Sequence, residues 1–89
     1  MTTIDCTANI TNQTGFTHAK ADGNTVAQLL ENLFTTHPKL KSYLLEDQGA
    51  VRKHITLFLN NTPITDRAKL SDTIPPNSQL FIAQALSGG

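Results

Sequence analysis

The sequence predicts an α+β domain in which a mixed sheet of four to five strands packs on one main helix. Period-two alternation near both ends of the chain, one amphipathic helical stretch between them, and a length suited to a single modest core all point there. With 89 residues, 38% of them hydrophobic, the chain has no room for a second domain.

Ile4, Cys6, Ala8 and Ile10 alternate with Asp5, Thr7 and Asn9, which predicts a first strand over residues 3–11. Asn12 to Gly15 reads as a turn, and Phe16 to Ala21 as the returning arm of a hairpin. Asp22-Gly23-Asn24 breaks that arm. Thr25 followed by Gln28 matches a capping box, so a helix is expected to start there, with Val26, Leu29, Leu30, Leu33 and Phe34 on its apolar face. Pro38 should stop it at His37, because proline disfavours helical backbone in the residue before it.

Leu40, Tyr43, Leu44 and Leu45 suit a further short turn of helix, followed by a polar loop over Glu46 to Ala50. Alternation returns from Lys53 to Asn60, with Ile55, Leu57 and Leu59 on one face and Thr56 and Phe58 on the other. Asn60-Asn61 closes that strand as a turn, since asparagine tolerates positive φ. Pro63 to Thr65 is long enough only for an edge strand, and Leu70 to Ile74 is expected to form a helical turn opened by Asp66 to Lys69. Pro75 to Ser78 forces a turn, and Leu80 to Gln84 is the last strand, with Leu80 and Ile82 facing opposite to Phe81 and Ala83. A helical crossover would place the first and last strands side by side and parallel in the middle of the sheet. This order is that of a β-grasp, the ubiquitin-like architecture, over residues 1–84, with 85–89 as a flexible tail ending in Gly88-Gly89.

Seven basic and seven acidic residues cancel, so no electrostatic footprint for nucleic acid or an anionic membrane is visible, and proteins are the expected partners. A lone cysteine excludes an internal disulfide. No apolar run approaches the ~20 residues a membrane-spanning helix needs. The N-terminus lacks the layout of a signal peptide, which makes the cytoplasm the expected location.

Candidate chemistry is sparse. Cys6 shares the parity of Ile4 and Ile10 and is expected to pack in the core as an inert hydrophobe. His18, His37 and His54 are scattered without the pairing of a zinc site, and no metal site is expected. Glu46, Asp47, Asp66 and Asp72 offer no evident carboxylate pair, and Ser87 has no evident base, so no catalytic residue is assigned. What stands out is the tail. Glycine has no Cβ, so Gly88-Gly89 could carry a carboxylate into a channel too narrow for larger residues. Phe58, Phe81 and Ala83, if Ile55, Leu57, Leu80 and Ile82 fill the core, would form a docking patch on the far face of the sheet, and Leu86 is a further candidate docking residue.

His54-Ile-Thr-Leu-Phe-Leu-Asn60 resembles the strand-plus-asparagine element of the small sulfur-carrier family. That family comprises the molybdopterin synthase small subunit, the thiamine-pathway carrier and the carrier of one route to cysteine. Val26, Leu29, Leu30 and Leu33 followed by His37-Pro38 resemble its helix, and Leu86-Ser87-Gly88-Gly89 its tail. The resemblance implies a group carrier and not an enzyme. A partner of the ubiquitin-activating type, which binds the ATP, would adenylate Gly89. A sulfur source would then convert it to a thiocarboxylate for delivery to a sulfur-acceptor synthase, with Gly88 and Ser87 giving clearance. The carrier would bind no cofactor itself and would be a monomer when free. Pro76-Asn77-Ser78-Gln79 stands where the family often has an acidic turn, and Ala83-Gln84-Ala85 where it often has proline. The length of the Pro38 to Lys53 segment fits the molybdopterin and cysteine types better than the thiamine type. A protein modifier that joins Gly89 to a lysine amine uses the same activation step and is the rival reading. A purely structural interaction module is a third.

Overall fold

Strands β1 (Thr2–Cys6) and β5 (Gln79–Gln84) lie side by side and parallel, with Ile4 opposite Leu80 and Cys6 opposite Ile82, at the centre of the sheet. The computed structural model describes residues 1–85. Strand β2 (His18–Ala21) pairs antiparallel with β1, while β3 (Ile55–Leu59) pairs antiparallel with β5 and β4 (Thr62–Pro63) with β3. The order across the sheet is β2-β1-β5-β3-β4, five strands among the described residues. Helices α1 (Ala8–Thr14), α2 (Val26–Thr36) and α3 (Pro38–Leu44) complete the described elements. The expected β-grasp is the observed fold, including the parallel central pair.

One side of the sheet supplies Ile4, Ile55, Leu57, Leu80 and Ile82, and the helices supply Ile10, Leu29, Leu30, Leu33, Leu40 and Leu44, all essentially without solvent contact. Each such side chain contributes about 1.5–3 kcal/mol on burial. The strand parity read from the sequence is therefore the parity of the core.

Two expectations are corrected. The first strand does not run to residue 11: it ends at Cys6, and residues 8–14 are helix α1, so β1 and β2 are joined through a helix and not a tight hairpin. Ile10 keeps the alternation's promise of burial only because helical spacing also turns it inward, whereas Ala8 is exposed. Gly15 stops α1 at φ +80 and donates its N–H to the Thr11 carbonyl at 2.8 Å, the left-handed cap that glycine adopts without steric cost. Nor do Leu70 to Ile74 form the expected helical turn. The turn occupies residues 67–69, and Thr73 instead bridges to Thr25. The carboxylates on either side decide this. Asp66 accepts from the N–H groups of Ala68 (3.2 Å) and Lys69 (2.9 Å), and Asp72 from those of Thr65 (3.0 Å) and Asp66 (2.8 Å).

That loop also completes the start of α2. Gln28 N–H is capped by Thr25 Oγ1 at 3.2 Å, as the sequence predicts, although Gln28 Oε1 reaches back to Asn24 N–H (2.9 Å) and not to that of Thr25. The N–H groups of Val26 and Ala27 donate to the carbonyls of Asp72 (3.0 Å) and Leu70 (2.9 Å). The donors that any helix start leaves orphaned are thus satisfied by a loop distant in sequence. Leu70 holds φ +59 to present its carbonyl, a conformation that costs a non-glycine residue about 1–2 kcal/mol and is offset by burial of its side chain. At its other end α2 terminates at His37, and Pro38 opens α3 at once, where its missing N–H costs nothing. No helix of the described residues is long and apolar enough to cross a membrane.

Two predictions follow from these contacts. A Cβ placed on Gly23 would lie 2.5 Å from Leu29 N and 2.7 Å from Leu29 Cα, both backbone atoms of α2. Gly23→Ala should therefore cost about 1–3 kcal/mol in urea unfolding, because a helix and not a flexible side chain has to move. The Ser71 hydroxyl, then the Lys69 N–H, hold the Asp66 carboxyl down from 3.8 to about 2. Asp72 is likewise lowered, chiefly by the N–H groups of Thr65 and Asp66. A depressed carboxyl pKa stabilises the fold above the unfolded value, and the benefit is lost as protons bind. The urea midpoint should accordingly fall as pH drops from 3.8 toward 2, and Asp66→Asn should flatten that decline while lowering the midpoint at neutral pH.

Candidate functional site

The strand that leads to the tail is β5, held on both edges by β1 and β3. Its outward residues align with their neighbours in one row across all five strands: His18, Asp5, Phe81, Phe58 and Pro63. The row divides by chemistry. At the β2 side, His18 Nδ1 lies 2.7 Å from Asp5 Oδ1 with both side chains about half exposed. On the other side Phe81, Phe58 and Pro63 form an apolar strip, and Ala83 sits two residues farther along β5 opposite Thr56. Phe81 is 40% exposed, the most exposed large apolar side chain after Met1 among the described residues. Phe58 is only half-buried, as is Ala83, because Phe58 has Phe81 on one side and Pro63 on the other. The three expected docking residues within the described part thus share the face away from the helices. Leu86, Ser87, Gly88 and Gly89 lie outside the described residues.

The end of β5 is tied to three other parts of the chain. The side-chain carbonyl of Gln84 accepts from the Tyr43 hydroxyl of α3. Its backbone N–H donates to Thr7 Oγ1 (3.3 Å), and its carbonyl accepts from Asn9 Nδ2 (3.5 Å), both at the start of α1. Thr7 Oγ1 donates in turn to Asn9 Oδ1, which also accepts from Ile10 N–H at 3.0 Å. Ala85 N–H then donates to the His54 carbonyl at 2.9 Å, on the β3 side. The sequence places Thr7 and Asn9 on a strand and Tyr43 on a short helix, with no link from any of them to Gln84. Two of the three follow from the corrected start of α1, and Tyr43 is 41 residues from its partner, so no local pattern could link them.

At the other end of the same strand, Asn60 makes the turn that asparagine's tolerance of positive φ predicts. At φ +51 it turns the chain out of β3, accepts from Gln79 N–H at 3.0 Å and donates to Ser78 Oγ at 3.1 Å. The start of β5 is thereby fixed to the end of β3.

The remaining candidates are dispersed. Cys6 lies on the inner side of β1, half-buried against the core, with its Sγ 3.3 Å from Thr11 Oγ1 and 3.5 Å from the Phe16 carbonyl. His37 ends α2 and meets Phe16 edge-on, the ring centroids 4.9 Å apart, while His18 and His54 are exposed. No group of three or more His, Cys, Asp or Glu side chains among the described residues could hold a metal ion. Asp66 and Asp72 are near one another, but each is consumed in holding backbone N–H groups.

The fold is that of a ubiquitin-like β-grasp domain whose outer sheet face carries an apolar strip and whose final described strand is tied on both edges. No protein-family model matches the sequence, and no curated protein matches it. Solved structures do. The chain is similar to one in the BexX/CysO complex of Amycolatopsis orientalis, with 20% identity over 100% of both chains and a TM-score of 0.84. It is similar to SAMP1 of Haloferax volcanii, with 24% identity, 99% of this chain and 98% of that one covered, and a TM-score of 0.78. CysO of Mycobacterium tuberculosis aligns at 16% identity over 97% and 100%, with a TM-score of 0.82. The likeness runs the length of the chain and establishes a shared fold.

Adjacent residues of β5 test the assignment of faces. Phe81→Ala should cost less than about 1 kcal/mol, since it removes a cross-strand contact at a solvated surface. Ile82→Ala, which empties a fully buried site, should cost about 2–5 kcal/mol in the same urea titration.

Proposed function

We propose that this protein is a sulfur carrier whose working group is the carboxylate of Gly89. The observation that carries the reading is the junction of fold and sequence: an anchored central strand delivers the chain directly into Leu86-Ser87-Gly88-Gly89 with no linker between. The resemblance to the small sulfur-carrier family and the fold shared with CysO along the whole chain support it. One of the matched structures is a complex of CysO with a second protein, BexX, as suits a carrier that works by docking.

The chemistry assigns the work to partners. A carboxylate is a poor electrophile. Attack of a Gly89 oxygen on the α-phosphorus of ATP, bound by an activating enzyme of the ubiquitin-activating type, would form an acyl adenylate and release pyrophosphate. Hydrosulfide sulfur would then add to that carbonyl, expel AMP and leave a thiocarboxylate. That sulfur is a soft nucleophile held on a protein, and it would attack an electrophilic acceptor on a synthase. Hydrolysis of the acyl bond afterwards returns the carboxylate to the carrier and leaves sulfur on the acceptor. Gly88 and Ser87 provide a narrow approach, while Phe58, Phe81, Ala83 and Leu86 make the docking contact. The carrier contributes no catalytic group and no cofactor, and the molybdopterin and cysteine types of acceptor are favoured by the length of the 38–53 segment.

The likeness to a small archaeal modifier protein, SAMP1, favours one second reading, in which the activated Gly89 passes to a lysine amine with loss of AMP and forms an isopeptide. A single experiment separates the two. The intact mass is measured for protein from the native host, and again after incubation with an activating enzyme, ATP and sulfide. Replacement of one oxygen by sulfur, abolished when Gly89 is deleted, is the outcome expected of a carrier. An unchanged mass together with a ladder of conjugates in host extracts would favour the modifier, and neither result would leave the glycines without a role in transfer.

A further inference from the structure

Gln84 is held more thoroughly than a strand end requires. Strand β1 stops at Cys6, and Thr7 N–H makes the last contact of that kind, to the Ile82 carbonyl at 3.0 Å. Beyond it the edge of β5 would face α1 with its polar groups unpaired. Instead the Thr7 hydroxyl takes the Gln84 N–H and the Asn9 amide takes its carbonyl, so two side chains continue the ladder that the backbone has abandoned. On the other edge Ile55 and the His54 carbonyl hold Gln84 and Ala85. The Tyr43 hydroxyl then fixes the Gln84 side chain, which backbone pairing leaves free.

We propose that Tyr43, Thr7 and Asn9 are positioning residues that aim the terminal glycines, a role that rests on the carrier reading above. Residues 86–89 can span at most roughly 14 Å, so the direction in which the chain leaves Ala85 decides which region the Gly89 carboxylate can reach. A partner must engage the outer face around Phe81 and receive the glycines in the same encounter. Two-point binding of this kind is strengthened when the root of the second point is already fixed, since fewer exit directions then have to be lost on binding. The docking face and the tail root meet on β5, and the clamp fixes one relative to the other. It touches no reacting atom, so its loss should weaken capture of the carrier and spare the chemical step.

The test uses the full chain and three variants. Tyr43→Phe keeps the ring and removes the hydroxyl, Gln84→Leu removes the acceptor, and Gln84→Glu restores an acceptor for the same hydroxyl. Two quantities are measured: amide ¹⁵N order parameters at Gln84 and Ala85, and ATP–pyrophosphate exchange by an activating enzyme of the ubiquitin-activating type from the same host, with carrier concentration varied. The first two variants should lower the order parameters at Gln84 and Ala85 and raise KM for the carrier about two- to tenfold, the range one lost hydrogen bond supports, with kcat kept. Gln84→Glu should stay near wild type in both. Equal KM in all the variants would overturn the proposal, as would a raised KM with unchanged order parameters, which would mean direct contact with the enzyme. If the wild-type chain supports no exchange, the carrier reading falls and the aiming role with it, and the order parameters alone then report a structural clamp.

Discussion

The parallel pairing of β1 with β5 is the constraint on which the rest of the molecule depends. It joins the two ends of the described chain, so it cannot form until the intervening residues have closed on themselves, and that closure has to be offset by burial. Leu80 and Ile82 complete the burial only when Ile4 and Cys6 are beside them and α2 lies above. The same arrangement pairs β5, the strand that leads to the glycines, on both edges, with β1 and β3.

Irregular backbone is held in place by short polar side chains. Asn60, Asn61, Leu70 and Asn77 all adopt positive φ, and three of the four are asparagine, the residue that tolerates it best after glycine. Leu70 is the exception and reveals the logic of its loop. Asp66 and Asp72 gather the surrounding N–H groups, and Leu70 buries its side chain while its carbonyl caps α2. Because each carboxylate holds backbone donors, these two acidic residues build structure. The low carboxyl pKa of Asp66 has the same origin in local hydrogen bonding and needs no neighbouring cation.

Function, on this reading, is divided between a face and an end. The outer face carries an apolar strip beside a half-exposed His18–Asp5 pair. The end of β5 offers a fixed point of departure. A carrier needs both, because the enzyme that activates a terminal carboxylate has to hold the body of the protein while its own channel receives the tail.

The sequence by itself determined the fold class, the strand parity and the position of α2. Alternation in Ile55 to Leu59 and Leu80 to Ile82, the Thr25–Gln28 cap and Pro38 are local signals whose physics needs no partner. It also supplied the Gly-Gly pair and the three outward residues Phe58, Phe81 and Ala83, since the period of a strand fixes their side once the core is known. Tertiary structure alone decided the rest. Residues 7–14 carry weak preferences, and Ile10 satisfies strand and helix spacing alike, so only the end of its partner strand and the cap at Gly15 settle α1 as helix. The loop at 66–74 departs from its apolar spacing because carboxylate-to-backbone bonds shape it. The clamp on Gln84 was illegible for a simpler reason: Thr7, Asn9 and Tyr43 meet it across 77, 75 and 41 residues of chain, and a hydrogen bond between distant side chains leaves no periodic trace in sequence.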